Sequence, residues 1–291
     1  MRRARAPLQC AGVTKANRRC SITTDSKIAT ESGRLACDPL RRGGRFCHFH
    51  AQIFNSLPAQ VPGDAMIFYL DFETTGLDVL SEHIVEIGLV EDRGSAVYST
   101  VVCPPVLPGD DPTVHGIAPA ELSRGPAFAD AFRRMVRFLD NVAETAVAEE
   151  SDSSCDDIGG SPVLREIPPA IVIAAHNGFK FDLPILMTEC IRCGLGLETC
   201  ERWLFVDTLH VLRAVDAELT GGCAKLQCLL NRLRAADEAL PAHRALSDCF
   251  ALRGVCQSLA AIVGVSVHRL FAPFCVAMDK SASLVALSCV L

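Results

Sequence analysis

At 291 residues, with 49% hydrophobic residues and a formal net charge of −6, the chain can bury a sizeable core in one large domain, with or without an appendage. No run reaches the roughly 18–20 uninterrupted apolar residues of a membrane-spanning helix, and the arginine-rich start lacks the apolar segment of a secretory signal. An intracellular protein is therefore expected, with its 15 cysteines mostly reduced.

The charge is unevenly spread. Residues 1–50 hold 11 Lys/Arg against 3 Asp/Glu, a balance of +8, which leaves 17 basic and 31 acidic residues, a balance of −14, for the rest. A basic arm on an acidic body suits contact with a polyanion, although a solvated tail has the same composition. Within residues 1–60, Cys10, Cys20, Cys47 and His50 can complete one tetrahedral Cys3His zinc site, with Cys37 or His48 as substitute ligands. A disordered basic tail and an organelle-targeting peptide are the alternatives for this arm.

Further along, MIFYLDFETTG (66–76) is an apolar run that ends in acids and a turn, the pattern of a buried strand delivering side chains to its end. IVEIGLV (84–90) and AVYSTVVC (96–103) are two more strands, and the turn EDRGS between them predicts an antiparallel meander. After a loop punctuated by Pro and Gly, FADAFRRMVRFLDNVA (128–143) places Phe128, Phe132, Met135, Val136, Leu139 and Val142 at helical spacing. Residues 140–157 carry seven Asp/Glu and no Lys/Arg, which predicts a flexible surface insertion over about 140–168.

AIVIAAHN (170–177) is apolar enough to be a strand buried on both faces. FDLPILMTECIRCG (181–194) is a helix with Pro184 in its first turn and a glycine stop, on which Cys190 and Cys193 are read as small buried residues. WLFVDTLHVLRAV (203–215) is a strand turning into a helix, with Asp207 as its capping acid, and 225–233 and 243–263 are the last clear helices. The order predicts an α/β fold over about 64–265, a mixed central sheet flanked by helices. The tail at 266–291 has no clear period.

Asp71 and Glu73 lie two residues apart on a strand, so both side chains leave one face. Such a pair alone reads first as helix capping or arginine pairing. Asp182 follows a buried strand at the start of a helix, where α/β sheets place ligand sites. Asp248 falls on the last long helix, and His243 lies in the loop entering it, after Pro241. Four carboxylates can hold two Mg²⁺ or Mn²⁺ ions ~4 Å apart, the arrangement that hydrolyses phosphodiesters. A histidine with an unperturbed pKa near ~6.5 can take the proton from the attacking water.

The segments LDFETTGL, AHNGFKFDLPIL and AHRALSDC resemble, in order and spacing, the three exonuclease motifs of the DEDDh branch of the DnaQ-like superfamily. The nearest types are the proofreading subunits and the TREX-type exonucleases. That resemblance covers about residues 66–263. It implies an RNase H-like three-layer fold, Asp71, Glu73, Asp182 and Asp248 as metal ligands, and His243 as general base. It further implies that Thr74 and Leu77 contact the terminal nucleotide. His115 in VHGI would lie near the sugar or base, or would simply form a turn. Asn177 would order its loop, and Phe181 would either stack on a base or pack in the core. The arm, in turn, resembles small Cys3His zinc modules.

The function these residues imply is metal-dependent 3′–5′ exonuclease action on nucleic-acid 3′ ends, single-stranded DNA ahead of RNA. RNA 3′-end trimming or a non-catalytic nucleic-acid adaptor are the alternatives, with no membrane partner. The implied location is the nucleus or cytoplasm, with an organelle as the other destination for a basic amino terminus.

Overall fold

A computed structural model describes residues 65–107, 116–152, 169–196, 203–215, 223–233 and 244–277, with side chains omitted at 147–152. The first strand, β1 (Met66–Thr74), buries Ile67 through Leu70 completely or nearly so, then alternates once the acids begin. Its position explains the pattern. β1 pairs antiparallel with β2 (Ile84–Glu91) on one side and parallel with β4 (Ile171–Ala175) on the other, so its middle has no solvent-facing side.

Around this pair the sheet has the order β3-β2-β1-β4-β5-β6, with β3 at Val97–Val101, β5 at Trp203–Asp207 and β6 at Val276–Ala277. β1, β2 and β3 form the predicted meander, β4 and β5 run parallel to β1, and the short β6 returns antiparallel, so the sheet is mixed. The predicted EDRGS turn is closed by Glu91, whose backbone N–H donates to Ala96 O at 2.9 Å. Gly94 takes φ +78° there, a left-handed conformation that glycine adopts without a Cβ clash.

Helix α1 (Pro119–Leu122) is a single turn, and α2 (Phe128–Asp152) is the long crossover between β3 and β4. The apolar stripe of α2 buries Phe128, Phe132, Met135 and Leu139 in one core cluster with Phe68, Leu70, Ile173 and Phe205. Phe132 meets Trp203 edge-on at 6.4 Å, and Phe138 meets Phe68 at 6.1 Å. Each fully buried side chain among these, such as Phe68 or Trp203, contributes about 1.5–3 kcal/mol. The helix runs to Asp152, nine residues past the stripe's expected end at 143. Alanine and glutamate there are strong helix formers, so propensity carries the helix into a segment whose acidity signals a loop.

Helix α3 (Asp182–Arg192) follows β4 and buries Leu183, Ile185, Leu186, Met187 and Cys190. Cys193, at its C-cap, is exposed rather than buried. The remaining helices are α4 (Thr208–Val215), α5 (Leu226–Leu233), α6 (Ala245–Val263) and α7 (Val267–Phe271). The last of these and β6 fall in the stretch whose sequence has no clear period. Cys223, just before α5, and Cys228 within it are joined by a disulfide, while six other cysteines among the described residues are free.

Residues 208–215, 223–233 and 254–274 group into one compact unit, and the other described residues, every strand included, into a second. By length and hydropathy alone, α6 is apolar enough to cross a membrane. Its buried residues Cys249, Leu252, Val255, Cys256 and Leu259 recur at the spacing of a core helix, and Asp248, Arg253 and Gln257 interrupt its apolar sequence.

The turn between β4 and α3 is tightly built. Asn177 holds φ +60°, a left-handed conformation that Asn tolerates and branched residues do not. Asn177→Gly should leave the melting temperature within about 2 °C, whereas Asn177→Val should cost about 1–2 kcal/mol in a urea unfolding titration. Equal stability of the two variants would show that this conformation is not required.

Candidate metal centre

The acidic residues converge because of register. On β1, Asp71 stands opposite Gly88 of β2, and Glu73 stands opposite Glu86. Asp71 and Glu73 therefore leave the same face, and a register shift between Glu73 and Thr74 breaks the ladder's regularity just beyond them, before Thr74 pairs with Ile84. Asp248 lies in the first turn of α6, its backbone N–H donating to Arg244 O at 3.1 Å. Carboxylate oxygens of Asp71, Glu73 and Asp248 all lie within 4.8 Å of one another. Asp182, the first residue of α3, is 4% exposed, and its charge acts directly on Asp71.

Burial and neighbouring like charges raise the pKa of Asp71, Glu73 and Asp182. Burial and then the charges of Asp182, Asp248 and Glu73 push Asp71 well above the usual carboxylate range. Glu73 is pushed to about 7, first by burial and then by Asp248 and Glu86, against a lowering pull from Arg244. Asp182 is pushed to about 8, mainly by burial, although backbone amides including that of Phe72 oppose the shift.

The donor set fits a hard divalent cation. It consists of carboxylate oxygens alone, and their 4.8 Å limit is close to the span of two metal–oxygen bonds of ~2.1 Å each. An ion there would take the place of the protons that repulsion otherwise retains.

The consequence for stability has a definite sign. Glu73 and Asp182 release their protons in the ordinary carboxylate range when unfolded, but only near 7 and 8 when folded. Between those limits the unfolded chain binds fewer protons, so rising pH weakens the metal-free fold. Scanning fluorimetry with Mg²⁺ should therefore show a larger rise in melting temperature at pH 8 than at pH 5.5. A rise independent of pH would separate metal binding from these acids.

The sequence-derived residues are not all placed alike. Thr74 is 5% exposed, and its hydroxyl donates to Gly76 O at 2.7 Å. Leu77 stands 82% exposed on the loop beyond β1, available to a ligand. Asn177 and Phe181 flank the β4–α3 turn, and Phe181 is partly buried, packed against the main core cluster. Asp207, read from sequence as a helix cap, accepts the Phe179 backbone N–H at 3.2 Å and so pins this turn. His115, His243 and the zinc candidates Cys10, Cys20, Cys47 and His50 lie outside the described residues.

Two groups of residues missed by the sequence reading support the centre. One braces the loop after β1. Buried Glu189 of α3 pairs with His83 at 2.9 Å and Arg192 at 2.7 Å, and Arg192 also donates to Glu82 O at 2.6 Å. The other joins Glu86 to Arg244 at 2.7 Å. A single acid inside the apolar strand IVEIGLV was the available signal, because a buried charge requires a partner.

No family model matches the chain. It is 28% identical to "Exonuclease DPD1, chloroplastic/mitochondrial" of Arabidopsis thaliana over 225 residues, 74% of this chain and 62% of that protein. It is 26% identical to "Three prime repair exonuclease 2" of Mus musculus over 166 residues, 54% of this chain and 65% of that protein. The chain thus spans just under two thirds of the length of these curated relatives. Among solved structures, a full-length 3′-exonuclease matches 74% of this chain and 91% of its own at 14% identity, with a TM-score of 0.48. By sequence, the chain is similar to two proteins named as exonucleases, one of them a three prime repair exonuclease.

Proposed function

We propose that this protein is a divalent-metal-dependent exonuclease that removes nucleotides from nucleic-acid 3′ ends, with single-stranded DNA preferred to RNA. The observation that carries the reading is the convergence of Asp71, Glu73 and Asp248 within 4.8 Å, with buried Asp182 beside them. Carboxylates gathered this closely repel one another, and a divalent cation would offset that repulsion in place of bound protons.

In this reading Asp71, Glu73, Asp182 and Asp248 would hold two Mg²⁺ or Mn²⁺ ions, which would supply charge neutralisation at the phosphate and a more acidic water. His243 accepts the proton of the attacking water and hands it to solvent. Leu77, exposed on the braced loop, contacts the terminal nucleotide, with His115 assigned near its sugar or base. Attack on the phosphorus breaks its bond to the 3′ oxygen and releases a nucleoside 5′-monophosphate. In the basic arm, Cys10, Cys20, Cys47 and His50 bind one Zn²⁺, and the surrounding arginines hold the backbone of the polyanion. The plant relative's chloroplastic/mitochondrial name, together with 11 basic and 3 acidic residues in the first 50, favours an organelle as the location.

The test uses 5′-labelled single-stranded DNA and RNA of one sequence, incubated with the full-length chain and Mg²⁺ or Mn²⁺. A ladder shortening from the 3′ end, faster on DNA and abolished by chelation, is expected. Faster RNA shortening would reassign the substrate. Intact substrate in both cases would remove the enzyme reading and leave a nucleic-acid adaptor.

A further inference from the structure

Arg244 precedes α6 by one residue, and its guanidinium reaches in two directions. Its Nε donates to both Glu86 carboxylate oxygens at 3.0 and 3.1 Å, and Nη2 donates to Glu86 Oε1 at 2.7 Å. The same Nη2 donates to Glu121 Oε1 of α1 at 3.1 Å. Glu86 Oε2 also accepts the backbone N–H of Ala245, the first residue of α6, at 3.0 Å. Glu86 is 2% exposed, so its carboxylate is buried although the Arg244 side chain is 37% exposed, whereas Glu121 is 43% exposed on its side chain.

The location of the pairing gives it meaning. Glu86 and Gly88 stand opposite Glu73 and Asp71 across the β1–β2 ladder. At Gly88 the backbone of Ala245 and Leu246 comes so close that a Cβ would lie 2.5 Å from one and 2.6 Å from the other. The start of α6 is therefore seated beside the two strand carboxylates, on the same face of the sheet. Asp248 follows within one turn, and its height above the sheet depends on where residues 244 and 245 are held.

We infer that Arg244, through Glu86, is a positioning residue that sets α6 so that Asp248 meets Asp71 and Glu73 in a shared cation site. Its second contact, with Glu121, is a minor branch, because half-exposed ion pairs contribute little. Arg244 itself touches neither ion nor substrate. The inference rests on the carboxylates being a metal centre, but it assigns a role outside the ligand set. Residues that orient ligands typically change metal affinity about 10–100-fold when removed.

The experiment measures Mn²⁺ affinity of the metal-free protein by electron paramagnetic resonance, without nucleic acid, beside kcat and KM on single-stranded DNA. Arg244→Met should weaken Mn²⁺ binding at least about tenfold and lower kcat more than it raises KM. Arg244→Lys, a point charge without the planar fork, should fall between Met and wild type. Glu121→Gln should stay within about twofold of wild type. Leu252→Ala, in the same helix and 1% exposed, is the control for simple destabilisation, with a lower melting temperature but unchanged Mn²⁺ affinity.

If Arg244→Met matches Leu252→Ala or wild type in Mn²⁺ affinity, the inference is overturned. Should Arg244→Met fail to fold, Arg244→Lys and Glu86→Gln decide, and wild-type affinity in both overturns it equally. Failure of wild type to bind Mn²⁺ or cut DNA would instead count against the exonuclease reading, which keeps the two outcomes apart.

Discussion

Asp71→Asn is expected to reduce 3′-end cleavage on the order of 10³-fold while raising the melting temperature of the metal-free chain. The two effects share one origin. Burial, and then the charges of Asp182, Asp248 and Glu73, bear on Asp71. Asparagine keeps the shape of the side chain and removes the charge. The metal-free fold then loses a repulsive centre, and each kcal/mol gained is read as roughly 2–4 °C for a domain of this size. A bound cation loses a ligand and the transition state loses several kcal/mol of charge stabilisation, with each ~1.4 kcal/mol worth tenfold in rate. The comparison uses scanning fluorimetry in chelator at pH 8 and single-turnover cleavage with Mg²⁺. An ordinary structural aspartate would behave in the opposite way, with stability lost and activity kept.

Gly88→Ala is the second large effect, and it arises from packing alone. The new methyl group would meet the Ala245 carbonyl carbon at 2.5 Å and the Leu246 nitrogen at 2.6 Å. Both are backbone atoms, so no rotamer change relieves the clash and the start of α6 has to move. Overpacking of this kind costs about 1–3 kcal/mol, a fall of several degrees in melting temperature. Because Asp248 rides on that first turn, activity should fall further than stability predicts, by about 100-fold for a displacement near 1 Å. Wild-type kcat in a destabilised Gly88→Ala protein would show that the centre tolerates movement of α6.

The sequence makes the local half of this arrangement legible. Alternation after Leu70 places Asp71 and Glu73 on one face, and the stripe from Phe128 to Leu139 marks a packed helix, because both follow from neighbours a few residues apart. Pairings across long separations leave no such trace. Glu86 and Arg244 are separated by 158 positions and meet only because β2 and α6 meet. Gly88 within IVEIGLV carries no sign that a helix backbone will rest on it. The two-residue β6 is too short to show a period. The acidic stretch after Leu139 misleads for a different reason, since charge density suggests a loop while alanine and glutamate sustain α2 to Asp152.

The most direct test of the metal centre is a Mn²⁺ titration of the chelator-stripped protein at pH 7.5, followed by electron paramagnetic resonance. The four-carboxylate arrangement predicts two Mn²⁺ bound per chain in wild type, with binding strongly weakened in Asp71→Asn and in Asp182→Asn. Wild-type binding that neither substitution changes, or no binding at all, would contradict it.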